Sequence, residues 1–129
     1  MPDDPPAKAE AQAEAQVDYT PEFKRNVRQL AKKYRRIKSD LQPVIDSLGK
    51  GATPGDPISR TGEEYALFKA RIRNSDSGKG KSGGYRLIYW VKSELSVILI
   101  TSYSKTEQGD VSAQYLRQVI AEHGLGEAP

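Results

Sequence analysis

From Ala66 to Arg73 the chain reads Ala-Leu-Phe-Lys-Ala-Arg-Ile-Arg. Apolar and basic residues alternate there, and in an extended chain successive side chains point to opposite faces. Lys69, Arg71 and Arg73 therefore share one face, and Ala66, Phe68, Ala70 and Ile72 share the other. One face is suited to burial against a core. The other carries like charges about 7 Å apart, which repel unless something anionic neutralises them. The segment reads as a strand that must close a core on one side and leave a cationic row open on the other.

The surroundings strengthen that reading. Between Lys69 and Lys92 there are seven basic side chains and one acid. The loop Gly78-Lys79-Gly80-Lys81-Ser82-Gly83-Gly84 is not a nucleotide-binding P-loop: Ser75 stands where the motif needs glycine, and a strand rather than a helix follows. It reads either as a flexible hairpin loop or as a mobile basic loop that clamps a phosphate backbone through Lys79 and Lys81.

The other elements follow from periodicity. Val17–Tyr19 reads as a short strand, and Thr20-Pro21 as an N-cap with proline at the first helical position. Phe23, Val27, Leu30, Tyr34 and Ile37 form one apolar stripe at helical spacing. Between Lys24 and Lys38 that segment has eight bases and no acid. Its Lys32, Lys33, Arg35 and Arg36 are either a solvated face or an anion-facing surface. Ser39-Asp40-Leu41-Gln42 resembles a capping box opening a second helix with the stripe Leu41, Val44, Ile45 and Leu48, ended by Gly49 or Gly51. Residues 52–62 read as a Gly/Pro loop. Strands are expected at about 64–73, 84–92 and 96–104, and Asp110 as the cap of a last helix burying Val111, Leu116, Val119 and Ile120. The expected fold class is α+β, in the order β-α-α-β-β-β-α: a curved, mostly antiparallel sheet with a helical hairpin packed on one face, the helices all on that side.

Composition limits the chemistry. The 129 residues contain no cysteine and one histidine, His123, so thiolate metal sites and histidine triads have almost no raw material. No metal or cofactor is expected. No apolar run is long enough for a membrane span, and no secretion signal is evident, so the expected location is cytoplasmic. Residues 1–16 carry four acids and one lysine, which leaves +6 of charge on residues 17–129 out of a total of +3. Three regions are expected: a disordered acidic Ala/Gln/Pro leader over 1–16, one domain over 17–124, and a tail over 125–129. A basic body of this kind suits an anionic partner such as nucleic acid.

The run LFKARIRNSDSGKGKSGGYRLIYWV, followed by VILITSYSKTEQ and preceded by the helix TPEFKRNVRQLAKKY, resembles the RelE/ParE superfamily of toxins from bacterial type II toxin–antitoxin modules. The resemblance spans roughly residues 17–123. It implies a small toxin neutralised by a cognate antitoxin in a hetero-oligomeric complex. For RelE-like members it implies a ribosome-dependent, metal-independent endoribonuclease that cuts mRNA. There the 2′-hydroxyl attacks the adjacent phosphate and leaves a cyclic phosphate, and translation stops. For ParE-like members, the alternative, it implies a non-enzymatic inhibitor of DNA gyrase. A third reading is RNA binding without catalysis.

Carried over position by position, the resemblance implies a catalytic set of Lys69, Arg71, Arg86, Tyr103 and Lys105. Arg71, Arg86 and the neighbouring Arg73 would clamp the pentacoordinate phosphate, where each guanidinium could be worth about 3–4 kcal/mol. Arg71 stands where relatives often carry lysine, so Lys69 becomes the candidate base; Thr106 stands where relatives often carry arginine, so Lys105 or Tyr103 would donate the proton. Each position also has a plainer reading. Tyr103 could cover the end of the sheet, Lys105 could be a solvated loop residue, and Arg86 could pair with Glu107. Tyr89 and Trp90 read as packing residues, and His123 as a favourable charge near a helix C-terminus.

Overall fold

The computed structural model describes residues 14–58, 65–76 and 84–126. The leader up to residue 13, the loop lysines Lys79 and Lys81, and residues 127–129 lie outside them. The element order is β1 (Gln16–Tyr19), α1 (Pro21–Ala31), α2 (Ile37–Gly49), β2 (Asp56–Pro57), β3 (Leu67–Ile72), β4 (Tyr85–Ser93), β5 (Ser96–Ser104) and α3 (Ala113–Gly126). The molecule is α+β, with three helices and a five-stranded open sheet among the described residues.

Thr20 joins the first two elements as its sequence position suggests. Its hydroxyl accepts from the Phe23 amide at 2.9 Å and donates to the Ile100 carbonyl at 2.8 Å, so one side chain both caps α1 and ties it to the sheet. The start of α2 differs from expectation. The helix begins at Ile37, two residues before the supposed capping box, and Arg36 at its N-cap makes no side-chain cap bond. Ser39 instead donates back to the Arg36 carbonyl, while the Asp40 carboxylate accepts from the amide and hydroxyl of Ser75. Ser39, the residue that the local pattern makes the cap, lies inside the helix, and its neighbour Asp40 serves a tertiary contact. Gly51, with φ of 94°, turns the chain out of α2.

The strand order is β1-β5-β4-β3-β2. β5, β4, β3 and β2 pair antiparallel, and β1 lies parallel to β5 with Gln16 opposite Ser96 and Tyr19 opposite Leu99, so the sheet is mixed. β2 falls inside the expected loop. It places Asp56 opposite Lys69, and its approach depends on Gly55, whose φ is 97° and where any Cβ would be driven into the Lys69 carbonyl.

The helices do not all cover one face. Phe23, Val27, Ile37, Leu41 and Leu48 from α1 and α2 bury against Ala70, Ile72, Tyr85, Leu87, Tyr89 and Leu99. Leu116, Val119 and Ile120 of α3 bury against Leu67, Ile88, Ile98 and Ile100 in a second cluster. Cross-strand partners share a face, so the row carrying Lys69, Arg71, Arg86 and Ile88 lies on the α3 side. The strand pattern explains this: the outward face of β4 and β5 is itself apolar over half its length and needs a cover. α3 supplies it there and leaves the charged half open.

Candidate functional site

The register sets a basic row across three strands. Arg71 lies opposite Arg86, and Arg86 lies opposite Tyr103. Two residues back along β3, Asp56, Lys69, Ile88 and Thr101 form the adjacent row. Tyr103 reaches this face because of an irregularity in β5. Ile88 pairs with Thr101 while the next residue, Tyr89, pairs with Leu99, which leaves Ile100 as an extra residue. A one-residue bulge reverses the alternation beyond it. Without it, Ser102 rather than Tyr103 would face this side.

Lys69, Arg71 and Tyr103 line one cleft of about 260 Å³, floored by Ile88 and walled by Asp56–Ile58 on one side and by Asp110, Val111, Ala113 and Leu116 on the other. Arg86, a member of the basic row, is only 5% exposed, does not line the cleft, and donates to the Tyr85 carbonyl at 3.2 Å. The suggested partner of Arg86, Glu107, is engaged elsewhere: its carboxylate accepts from the Tyr34 hydroxyl at 2.7 Å and lies 3.1 Å from Lys33 Nζ. Those two contacts hold Glu107 below the ordinary carboxylate range. They also fasten the turn that carries Lys105 to the corner between α1 and α2.

Asp110 is the group that sequence reasoning does not assign to the site. The expected role, capping the last helix, belongs to Ser112, whose hydroxyl accepts from the Tyr115 amide at 3.0 Å. Asp110 Oδ1 instead receives the Tyr103 hydroxyl at 3.1 Å and lies 3.4 Å from Lys69 Nζ and 3.7 Å from Lys105 Nζ. The Tyr103 hydrogen bond, followed by the Lys69 charge, lowers the Asp110 pKa below its ordinary value. Burial, followed by the nearby Asp110 charge, pushes the Tyr103 phenol up to about 12. Lys69 thus has a carboxylate beside it in the free protein, not the crowd of cations expected for a basic lysine.

The cleft gathers three of the five residues expected to act on RNA, with Lys105 joined to it through Asp110 and Arg86 lying between Arg71 and Tyr103 in the register. Arg71 is exposed and makes no ion pair among the described residues. Arg73 lies one residue beyond β3 and does not line the cleft. Lys32, Lys33, Arg35 and Arg36 are exposed at the α1–α2 corner, in the layer behind the sheet, and are not brought to the cleft. Arg36 approaches Asp76 at 3.9 Å. Tyr89 is buried with its ring stacked on Phe68, and Trp90 packs edge-on against Tyr65, so both are packing residues. Asp56 and Asp110 give the cleft two carboxylates. No group of three or more His, Asp or Glu side chains suited to a metal ion occurs among the described residues. No described helix is long and apolar enough to cross a membrane.

What the arrangement can do follows from charge and proton inventory. Guanidinium and ammonium groups on a sheet floor favour a phosphodiester, and a phenol that stays protonated at neutral pH can donate to a leaving oxygen. No protein-family model matches the chain.

Proposed function

We propose that this protein is a RelE-like toxin of a type II toxin–antitoxin module, a metal-independent endoribonuclease that cuts mRNA on the ribosome. The observation carrying the proposal is the cleft in which Lys69, Arg71, Tyr103 and Asp110 meet, with Arg86 between Arg71 and Tyr103 in the strand register. The helical pair folded as a hairpin behind a curved sheet belongs to the same reading, as do a cognate antitoxin and the ribosome as partners.

The chemistry assigns one task to each group. The Lys69 ammonium first releases its proton to solvent; the free amine then takes the proton of the 2′-hydroxyl, and the 2′-oxygen bonds to phosphorus. Negative charge grows on the non-bridging oxygens, where Arg71 and Arg86 meet it; one such preorganised donor is worth about 10²–10³ in rate. The P–O5′ bond then breaks and the departing oxygen takes a proton from Tyr103, with Lys105 beside it. The products are a 2′,3′-cyclic phosphate and a free 5′-hydroxyl.

The test is to add the purified protein to translating ribosomes and map RNA ends. Cuts within codons, lost in Lys69→Met and Arg71→Met and unchanged by chelators, are expected. Uncut transcripts with continuing translation would overturn the proposal, and a DNA-damage response in expressing cells would then point to the gyrase-directed alternative.

A further inference from the structure

The three contacts of Asp110 converge on a single oxygen, Oδ1. A phenolic hydroxyl and two ammonium groups aimed at one point constitute an anion seat, and in the free protein a carboxylate oxygen from the chain itself fills it. We propose that Asp110 is an internal placeholder for a non-bridging phosphate oxygen of single-stranded RNA, which the substrate must displace before Lys69, Tyr103 and Lys105 can engage it. This rests on reading the cleft as the RNA site.

Three features make displacement feasible. Asp110 is 57% exposed, so its carboxylate regains water as it leaves. It lies in the irregular stretch between β5 and α3, beside Gly109, around which there is open space. It does not cap α3, because Ser112 does, so the helix end stays intact when the side chain swings away. The neighbouring Arg71, which lines the same cleft without an ion pair among the described residues, gives an arriving phosphate a first foothold that Asp110 does not neutralise.

The placeholder has a functional consequence. Exposed cations without a counter-charge bind any polyanion, and an intramolecular carboxylate handicaps every phosphate that arrives without further contacts. A ligand must bring additional binding, such as a ribosome-presented strand, to win the exchange.

The experiment uses the full chain and an RNA oligonucleotide 2′-O-methylated throughout, which cannot be cut, with binding followed by fluorescence anisotropy over a salt series. Asp110→Asn keeps the shape and removes the charge. Its affinity is expected to rise about three- to tenfold, the size of one or two partly exposed ion pairs released. Its salt slope should steepen by about 0.7–1.4, because one or two more cations reach phosphates. Asp110→Glu should behave like the wild type, and adding Lys69→Met to Asp110→Asn should cancel the gain. Should Asp110→Asn bind no more tightly while Lys69→Met or Arg71→Met weakens wild-type binding, the cleft remains the RNA site and the placeholder is refuted. Should none of these substitutions alter binding, both readings fail.

Discussion

Replacing Tyr103 by phenylalanine isolates one oxygen atom. Tyr103 is 4% exposed and belongs to the cluster under α3, so a phenyl ring in its place would keep the apolar burial. What disappears is the bond donated to Asp110 at 3.1 Å. Hydrogen bonds to charged groups are worth about 1.5–3 kcal/mol when fully shielded. Here the acceptor is more than half exposed and keeps both lysines, so a net loss near 1 kcal/mol is expected, a melting shift of roughly 3–5 °C for a domain of this size. If Tyr103 supplies the leaving-group proton, cleavage should fall about 10²–10⁴-fold, equivalent to roughly 3–5.5 kcal/mol at the transition state. The assay is single-turnover cleavage on saturating ribosomes beside a thermal melt of the same preparation. A cleavage loss below about tenfold, with the fold intact, would refute the assignment of Tyr103 as proton donor.

Other expectations are structural. Gly55→Ala combines a left-handed backbone, costing about 1–2 kcal/mol, with a Cβ driven into the Lys69 carbonyl. It should lower the denaturant midpoint and free β2, which hydrogen exchange at the Ile58 amide, bonded to the Leu67 carbonyl at 2.8 Å, would show. Thr20→Ala removes a cap and leaves the buried Ile100 carbonyl without its hydroxyl donor, so about 2–3 kcal/mol of stability should be lost in urea unfolding. In alkali, burial raises the phenols of Tyr103 and Tyr115 to about 12 and raises Tyr85 and Tyr89 as well. A raised pKa favours the folded state while the group stays protonated. That contribution is whole below about pH 10 and fades as pH climbs through about 12. The share of tyrosinate absorbance contributed by these four phenols should therefore appear together with unfolding and not before it.

Much of the architecture is legible because local chemistry and tertiary need agree. Thr20-Pro21 caps a helix in any context, and the apolar density of Tyr85–Val91 and Val97–Ile100 leaves little choice but central strands. Reading fails where a residue serves a distant partner. Ser39 and Asp110 have side chains that cap helices, and nothing local reveals that Ser39 will donate back to the Arg36 carbonyl or that a trio of donors will claim Asp110. β2 is two residues of edge pairing held by a backbone angle, below what periodicity can register. The placement of α3 opposite the other helices depends on which half of a two-sided apolar sheet lacks cover. The basic row is visible from alternation in β3, but the presence of Tyr103 beside it depends on a pairing irregularity at Ile100.

The parallel pairing of Gln16–Tyr19 with Ser96–Leu99 has a temporal meaning. The first strand must wait while about eighty residues emerge before its neighbour exists, and loops of that span close slowly. β5 also carries Tyr103 and leads into Lys105 and Asp110, so the strand that seats β1 is the one that completes the cleft. A nascent chain therefore gains its full set of cleft residues only once β5 and the turn after it have been made, long after β1.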